Sequence, residues 1–140
     1  MATLAVDKVR QFRNLGSAVQ YPIVATDILY RGSAISRNSS GDARPLSTSD
    51  SVFLGFNDAN ADNNTGSAGD KLVEVYVEGE VLLSVTSVND DDDVSSTVYA
   101  SDDDTFTLAS TGNLAVGKVM QWVTGTTCWV KFQGHACRSI

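Results

Sequence analysis

Along residues 72–85, "LVEVYVEGEVLLSV", Val73, Val75, Val77, Val81, Leu83 and Val85 share one parity, and Glu74, Tyr76, Glu78 and Glu80 share the other. A period of two sustained over that length marks a half-buried strand or strand pair. Gly79 in its middle predicts a bulge or sharp bend rather than one clean strand. Shorter segments of the same kind are "DILYRGSAIS" (27–36), "SVFLGF" (51–56), "TVYA" (97–100), "TFTLAS" (105–110), "AVGKVMQWV" (115–123) and "TCWVKFQG" (127–134). Polar gaps at Ser101–Asp104 and Thr124–Thr126 turn the last four into two hairpins. Residues 39–46 read as turn chemistry and residues 57–70 as a long polar loop. The pattern predicts an all-β domain, a small barrel or sandwich of about seven to eight short strands.

The start of the chain follows another rhythm. Between Thr3 and Leu15, apolar Ala5, Val9 and Phe12 alternate with polar and charged residues at a weak helical spacing, ended by Gly16. An isolated helix of that length is marginal. Residues 1–25 are therefore expected to form an N-terminal arm, extended or a short helix, and residues 26–140 the β domain. A segment of this kind is either a surface helix or a frayed terminus, or an arm that orders on a partner.

Charge sharpens the division. The chain has 140 residues, enough for one domain, and a net charge of −7. Residues 1–44 carry +3 and residues 45–140 carry −10. An acidic body repels phosphate backbones, which argues against a nucleic-acid partner. No apolar run approaches a membrane span and no signal-peptide core opens the chain, so no membrane partner is expected, and the protein is expected to fold in a cytoplasm with reduced thiols. Cys128 and Cys137 lack the second Cys/His pair a zinc site needs.

The candidate chemistry is thin. Seven aspartates cluster at Asp90–Asp93 and Asp102–Asp104. Aspartate favours turns because its side chain bonds its own backbone, and successive carboxylates on an extended chain point to alternate sides, so both clusters read as turns on a wet surface. Asp58, Asn60 and Asp62 match the first half of a calcium-binding loop, but Asn63 stands where a glycine is needed and Gly69 where a bidentate glutamate belongs. His135 is the only histidine, and nothing around it and Cys137 builds a nucleophile–base pair. Trp122 and Trp129 lie in strands beside apolar neighbours and read as packing residues. No cofactor and no enzymatic activity are expected.

"VYASDDDTFTLAS" (98–110), followed by "NLAVGKVMQWV" (113–123) and "TCWVKF" (127–132), resembles the capsid cement, or head decoration, proteins of tailed bacteriophages. "ILYRGSAI" (28–35), "SSGDARPL" (39–46), "SVFLGF" (51–56) and "VEVYVEGEV" (73–81) stand upstream in the order that family would have. The likeness covers residues 27–132. It implies a barrel-like domain on the outer surface of a phage head, assembled in the host cytoplasm. It also implies a homotrimer at threefold or local threefold positions, clamping the phage major capsid protein. An arm along the capsid would suit the basic, partly apolar N-terminal segment. Val9, Arg10, Phe12, Arg13, Leu15 and Arg31 are its expected capsid-binding residues, the arginines through charge-assisted bonds and the rest through apolar burial. The alternative is a virion-displayed binding module, calcium-dependent or a host-surface adhesin.

Overall fold

The computed structural model describes residues 4–138. Residues 1–3 of the expected arm and residues 139–140 of the expected β domain lie outside the described residues.

The chain is all-β. In order, the strands are β1 (Phe12–Arg13), β2 (Ala18–Pro22), β3 (Asp27–Leu29), β4 (Ala34–Arg37), β5 (Ala43–Pro45), β6 (Val52–Phe56) and β7 (Ala61–Asn63). They continue with β8 (Leu72–Tyr76), β9 (Glu78–Thr86), β10 (Thr97–Asp102), β11 (Thr105–Thr107), β12 (Leu114–Thr124) and β13 (Thr127–Gln133). Strands β9, β11, β10, β12 and β13 pair in that order, and β13 returns to β9, closing a five-stranded barrel. β1 adds to β9 next to β11. A second sheet runs β2-β8-β6-β4-β5, and β3 pairs with β7.

Among the described residues thirteen strand segments replace the seven or eight expected, because several span only two or three residues and two fall before residue 26. The expected turn at 39–46 contains β5, and the expected loop at 57–70 contains β7. Both are too short and polar to show a period. Pro22 and Pro45 sit in β2 and β5, the edge strands of the second sheet, where a missing N–H costs no ladder bond. Of the two forms expected for the arm, the helix is not found. Phe12 pairs with Val81 across β1 and β9, and that cross-strand burial outweighs a helical spacing with no cap.

The period-two stretch at 72–85 is two strands in different sheets. Val73, Val75 and Val77 enter one core, with Ile23, Leu29, Ile35, Ala43 and Leu54. Val81, Leu83 and Val85 enter the barrel core, with Phe106, Val130 and Phe132. The chain changes sheet at Val77, two residues before the glycine where a bend was expected.

β6 lies between the cores. Its pairing with β4 slips between Ile35 and Ser36, adding a residue to β6. The bulge turns both Phe53 and Phe56 into the barrel core and leaves Leu54 in the other. Gly55 allows it: its φ is +149°, and a Cβ there would collide with the Tyr76 carbonyl. Each fully buried phenylalanine contributes roughly 1.5–3 kcal/mol of apolar transfer.

Candidate functional site

Residues 4–16 form an extended strap across the barrel. Its backbone is tied at intervals: Lys8 N–H donates to Arg31 O (2.8 Å), Leu82 N–H to Gln11 O (3.0 Å) and Gly16 N–H to Glu78 O (2.9 Å). Few of its residues are apolar and inward, so polar side chains do the rest of the holding.

Arg10 is the main anchor, with 9% of its surface exposed. Its Nε donates to Gly32 O and its Nη2 to Asp104 Oδ1. The guanidinium lies 5.8 Å from the Phe56 ring centre and 5.5 Å from that of Phe106. A buried cation needs a counter-charge and hydrogen-bond acceptors, and Asp104 and the Gly32 carbonyl supply them to Arg10. Lys8 Nζ adds a second, more exposed bond to Asp104 Oδ1 (3.0 Å). Gly32 makes the approach possible: its φ is +86°, and a Cβ there would strike the Lys8 carbonyl.

The strap's first described residue ends on Asp103. Leu4 N–H donates to Asp103 Oδ1 (3.0 Å), and Ser33 Oγ donates to Oδ2 at 3.5 Å. Asp103 is fully buried. Burial pushes its carboxyl up to about 6, with Asp102 and Asp104 adding to the rise against the lowering by Leu4 N–H and Ser33. The wet-surface reading of this cluster is therefore corrected. β10 buries alternate residues Val98, Ala100 and Asp102, so the strand's inward parity runs into the aspartates. That parity was the available signal for Asp102; Asp103, on the opposite parity, had none. The Asp90–Asp93 cluster does behave as a solvated turn: Asp91–Asp93 form one exposed 3-10 turn, with Asp90 and Asp93 bonded to each other's backbone in a capping box.

The six residues expected to meet a capsid divide by burial. Val9 is 72% exposed, and Leu15 stands partly exposed. Arg10 is turned inward, so its charge is spent inside the domain. Phe12 is also turned inward, its ring 6.3–6.4 Å from Phe56, Tyr76 and Phe132. Arg13 Nε donates to Glu80 Oε1 (2.8 Å), and its guanidinium stacks 4.1 Å from a ring centre of Trp129. The Asn14 amide bond, with Arg13, holds Glu80 below the usual carboxylate range. Arg31 Nε donates to Asp58 Oδ1 (3.0 Å), and its N–H to Asp7 Oδ1 (2.9 Å). Val6, 70% exposed, had no sequence signal of its own and belongs beside Val9.

The other candidates are engaged in structure. In the 58–62 loop, Asp58 holds Arg31, Asn60 donates to Asp7, and Asp62 accepts Asn64 N–H. Among the described residues no group of three or more His, Cys, Asp and Glu side chains is placed to hold a metal ion. His135 Nδ1 accepts Phe53 N–H (2.9 Å), and burial and Arg138 lower its pKa. Cys137 packs against the second core. Burial, with Glu78, pushes its thiol up, and burial pushes Cys128 to about 11. An activated thiol needs the opposite shift. No helix among the described residues is long and apolar enough to cross a membrane.

Comparison with protein-family models, with curated proteins and with solved structures found no match for this chain.

Proposed function

We propose that this chain is a structural virion protein, a cement or decoration protein that binds the outer surface of a phage head and braces neighbouring major capsid subunits without turnover. The observation that carries the reading is the strap. Anchors at Arg10, Phe12 and Arg13 hold it in place, yet Val6 and Val9 stand 70% and 72% exposed. Exposed apolar side chains on a rigid segment favour a covering partner. A segment already ordered loses little conformational entropy when it docks. The resemblance of residues 27–132 to cement proteins supplies the class of partner.

In this reading Val6, Val9 and Leu15 make the apolar contact, and Arg31 lies at its rim. Arg10, Phe12 and Arg13 act from behind by fixing the strap. A homotrimer on a threefold position would repeat the contact three times, and avidity would turn weak contacts into firm attachment.

Two measurements test it. Mass spectrometry of purified particles of the encoding phage should find this polypeptide as a constituent; its absence overturns the cement reading. Changing Val6→Asp with Val9→Asp should leave the melting temperature nearly unchanged and abolish co-sedimentation with capsids. Undiminished co-sedimentation would move the contact off the strap.

A further inference from the structure

An open groove of about 420 Å3 lies on the outer face of the barrel, between the start of β10 and strands β12 and β13. Val94, Val119 and Met120 supply apolar surface, and Lys118, Lys131 and Arg138 supply cations. Val94 and Met120 are exposed. Among the described residues no carboxylate lines the groove.

Strand register explains why cations gather there. Arg13, Glu80, Lys131, Lys118 and Thr97 are successive partners across β1, β9, β13, β12 and β10. The single acid in that row, Glu80, is already bonded by Arg13 Nε and Asn14 Nδ2, both at 2.8 Å. Lys118 and Lys131 stand directly opposite each other, and neither has an ion-pair partner among the described residues. Like charges in that position destabilise an antiparallel pair. Arg138 donates to the carbonyls of Gln133 (3.0 Å) and Ala115 (2.8 Å), and it has no ion-pair partner among the described residues. The chain has ten Lys/Arg against seventeen Asp/Glu. Lys8, Arg10, Arg13, Arg31 and Arg44 are ion-paired. Of the remaining five cations, three line this one groove.

We propose that the groove docks an extended acidic peptide segment of a partner protein. Its carboxylates lie against Lys118 and Lys131, and an apolar side chain lies on Met120 and Val94. Charge complementarity selects the acid, since an anion would relieve the repulsion between the two lysines. The acidic turn at Asp91–Asp93, just before Val94, sets the direction: the apolar side chain belongs at that end and the carboxylates at the lysine end. A nucleic-acid strand would also meet the cations, but its phosphate backbone would gain little from the apolar surface of Val94 and Met120. The inference requires only an acidic partner and does not depend on that partner being a capsid.

The test is fluorescence anisotropy at low ionic strength with a short labelled peptide of glutamate, serine and leucine. The comparison probes are the same peptide with lysine for glutamate, one without leucine, and a short single-stranded DNA. The acidic, leucine-containing peptide should bind tightest. Lys118→Glu should weaken it by about tenfold and the milder Lys118→Gln by about threefold. Met120→Ser should also weaken it. Lys71→Glu, the same charge change on an exposed lysine outside the groove, should leave it nearly unchanged. The proposal is overturned if the acidic peptide does not bind, if Lys71→Glu and Lys118→Glu act alike, or if the leucine-free peptide or the DNA binds as well.

Discussion

Two runs of aspartate, with eight residues between them, have opposite fates in this protein. Asp91–Asp93 form an exposed turn whose carboxylates answer to water and to their own backbone. Asp103 is fully buried, and Asp104 beside it is held by Lys8 and Arg10. Composition does not separate the clusters, and neither does the preference of aspartate for turns. What separates them is what covers each one. The β4 side of the second sheet and the strap close over the second cluster, where Ala34 N–H donates to Asp103 O and Leu4 N–H to its side chain. Asp90–Asp92 stay exposed, and the hydrogen bonds of their side chains among the described residues are to the cluster's own backbone. Buried carboxylates are thus a device here for tying a terminal segment down.

Removing Arg10 should disturb this contrast most. Arg10→Ala leaves Asp104 short of its buried counter-charge beside Asp103 and strips packing from Phe56 and Phe106. A loss of roughly 2–4 kcal/mol in urea unfolding is expected. A loss below about 1 kcal/mol would mean that the strap contributes little to the fold.

Asp103→Asn should act in the other direction. The folded carboxyl titrates at about 6 against an ordinary 3.8. Its raised pKa contributes stability that is fully present below 3.8 and is lost as pH rises through 6. At pH 8 the ionised group therefore costs stability, and the neutral amide should recover roughly 1–3 kcal/mol while its oxygen still accepts Leu4 N–H. The difference in stability between the two proteins should grow between about pH 4 and 6 and then stay level. A flat difference across that range would show that Asp103 is not the group paying for burial.

Within the exposed cluster, Asp90→Ala should cost about 0.5–1 kcal/mol by thermal unfolding, because it removes one half of the capping box. Asp92→Asn should change stability by less than about 0.5 kcal/mol and leave its pH dependence alone. If Asp92→Asn matched Asp103→Asn, the contrast between the clusters would collapse.

Much of the β architecture was legible. The two hairpins turn within the expected gaps: Asp103 and Asp104 link β10 to β11, and Gly125 and Thr126 link β12 to β13. Turn residues between two alternating runs are a local signal, and local signals survive folding. The alternation at 72–85 likewise named six buried apolar residues correctly, but not Tyr76, which packs against the barrel core, nor Glu80, which the strap covers. It did not say that the first three valines and the last three apolar residues enter different cores, since parity records a face and not the neighbour on that face. The helical spacing of Ala5, Val9 and Phe12 left a short helix open beside an extended arm. In the folded chain Val9 faces out and Phe12 in, which their partners decide. Of the candidate site, the leading segment was legible as distinct from the rest by its charge and composition. The inward turn of Arg10 and the burial of Asp103 were not.

By itself the sequence determined the all-β class, the positions of the main hairpins, and which side of each long strand is apolar, because these follow from a period of two and from turn chemistry written in neighbouring residues. Only the tertiary structure decided which strands close the barrel, that β1 and β2 join the two sheets, and which aspartates lose their water. Those outcomes depend on pairs such as Arg10 with Asp104 and Leu4 with Asp103, more than ninety residues apart. Register and cover between distant segments set the local dielectric, and no window along the chain contains them.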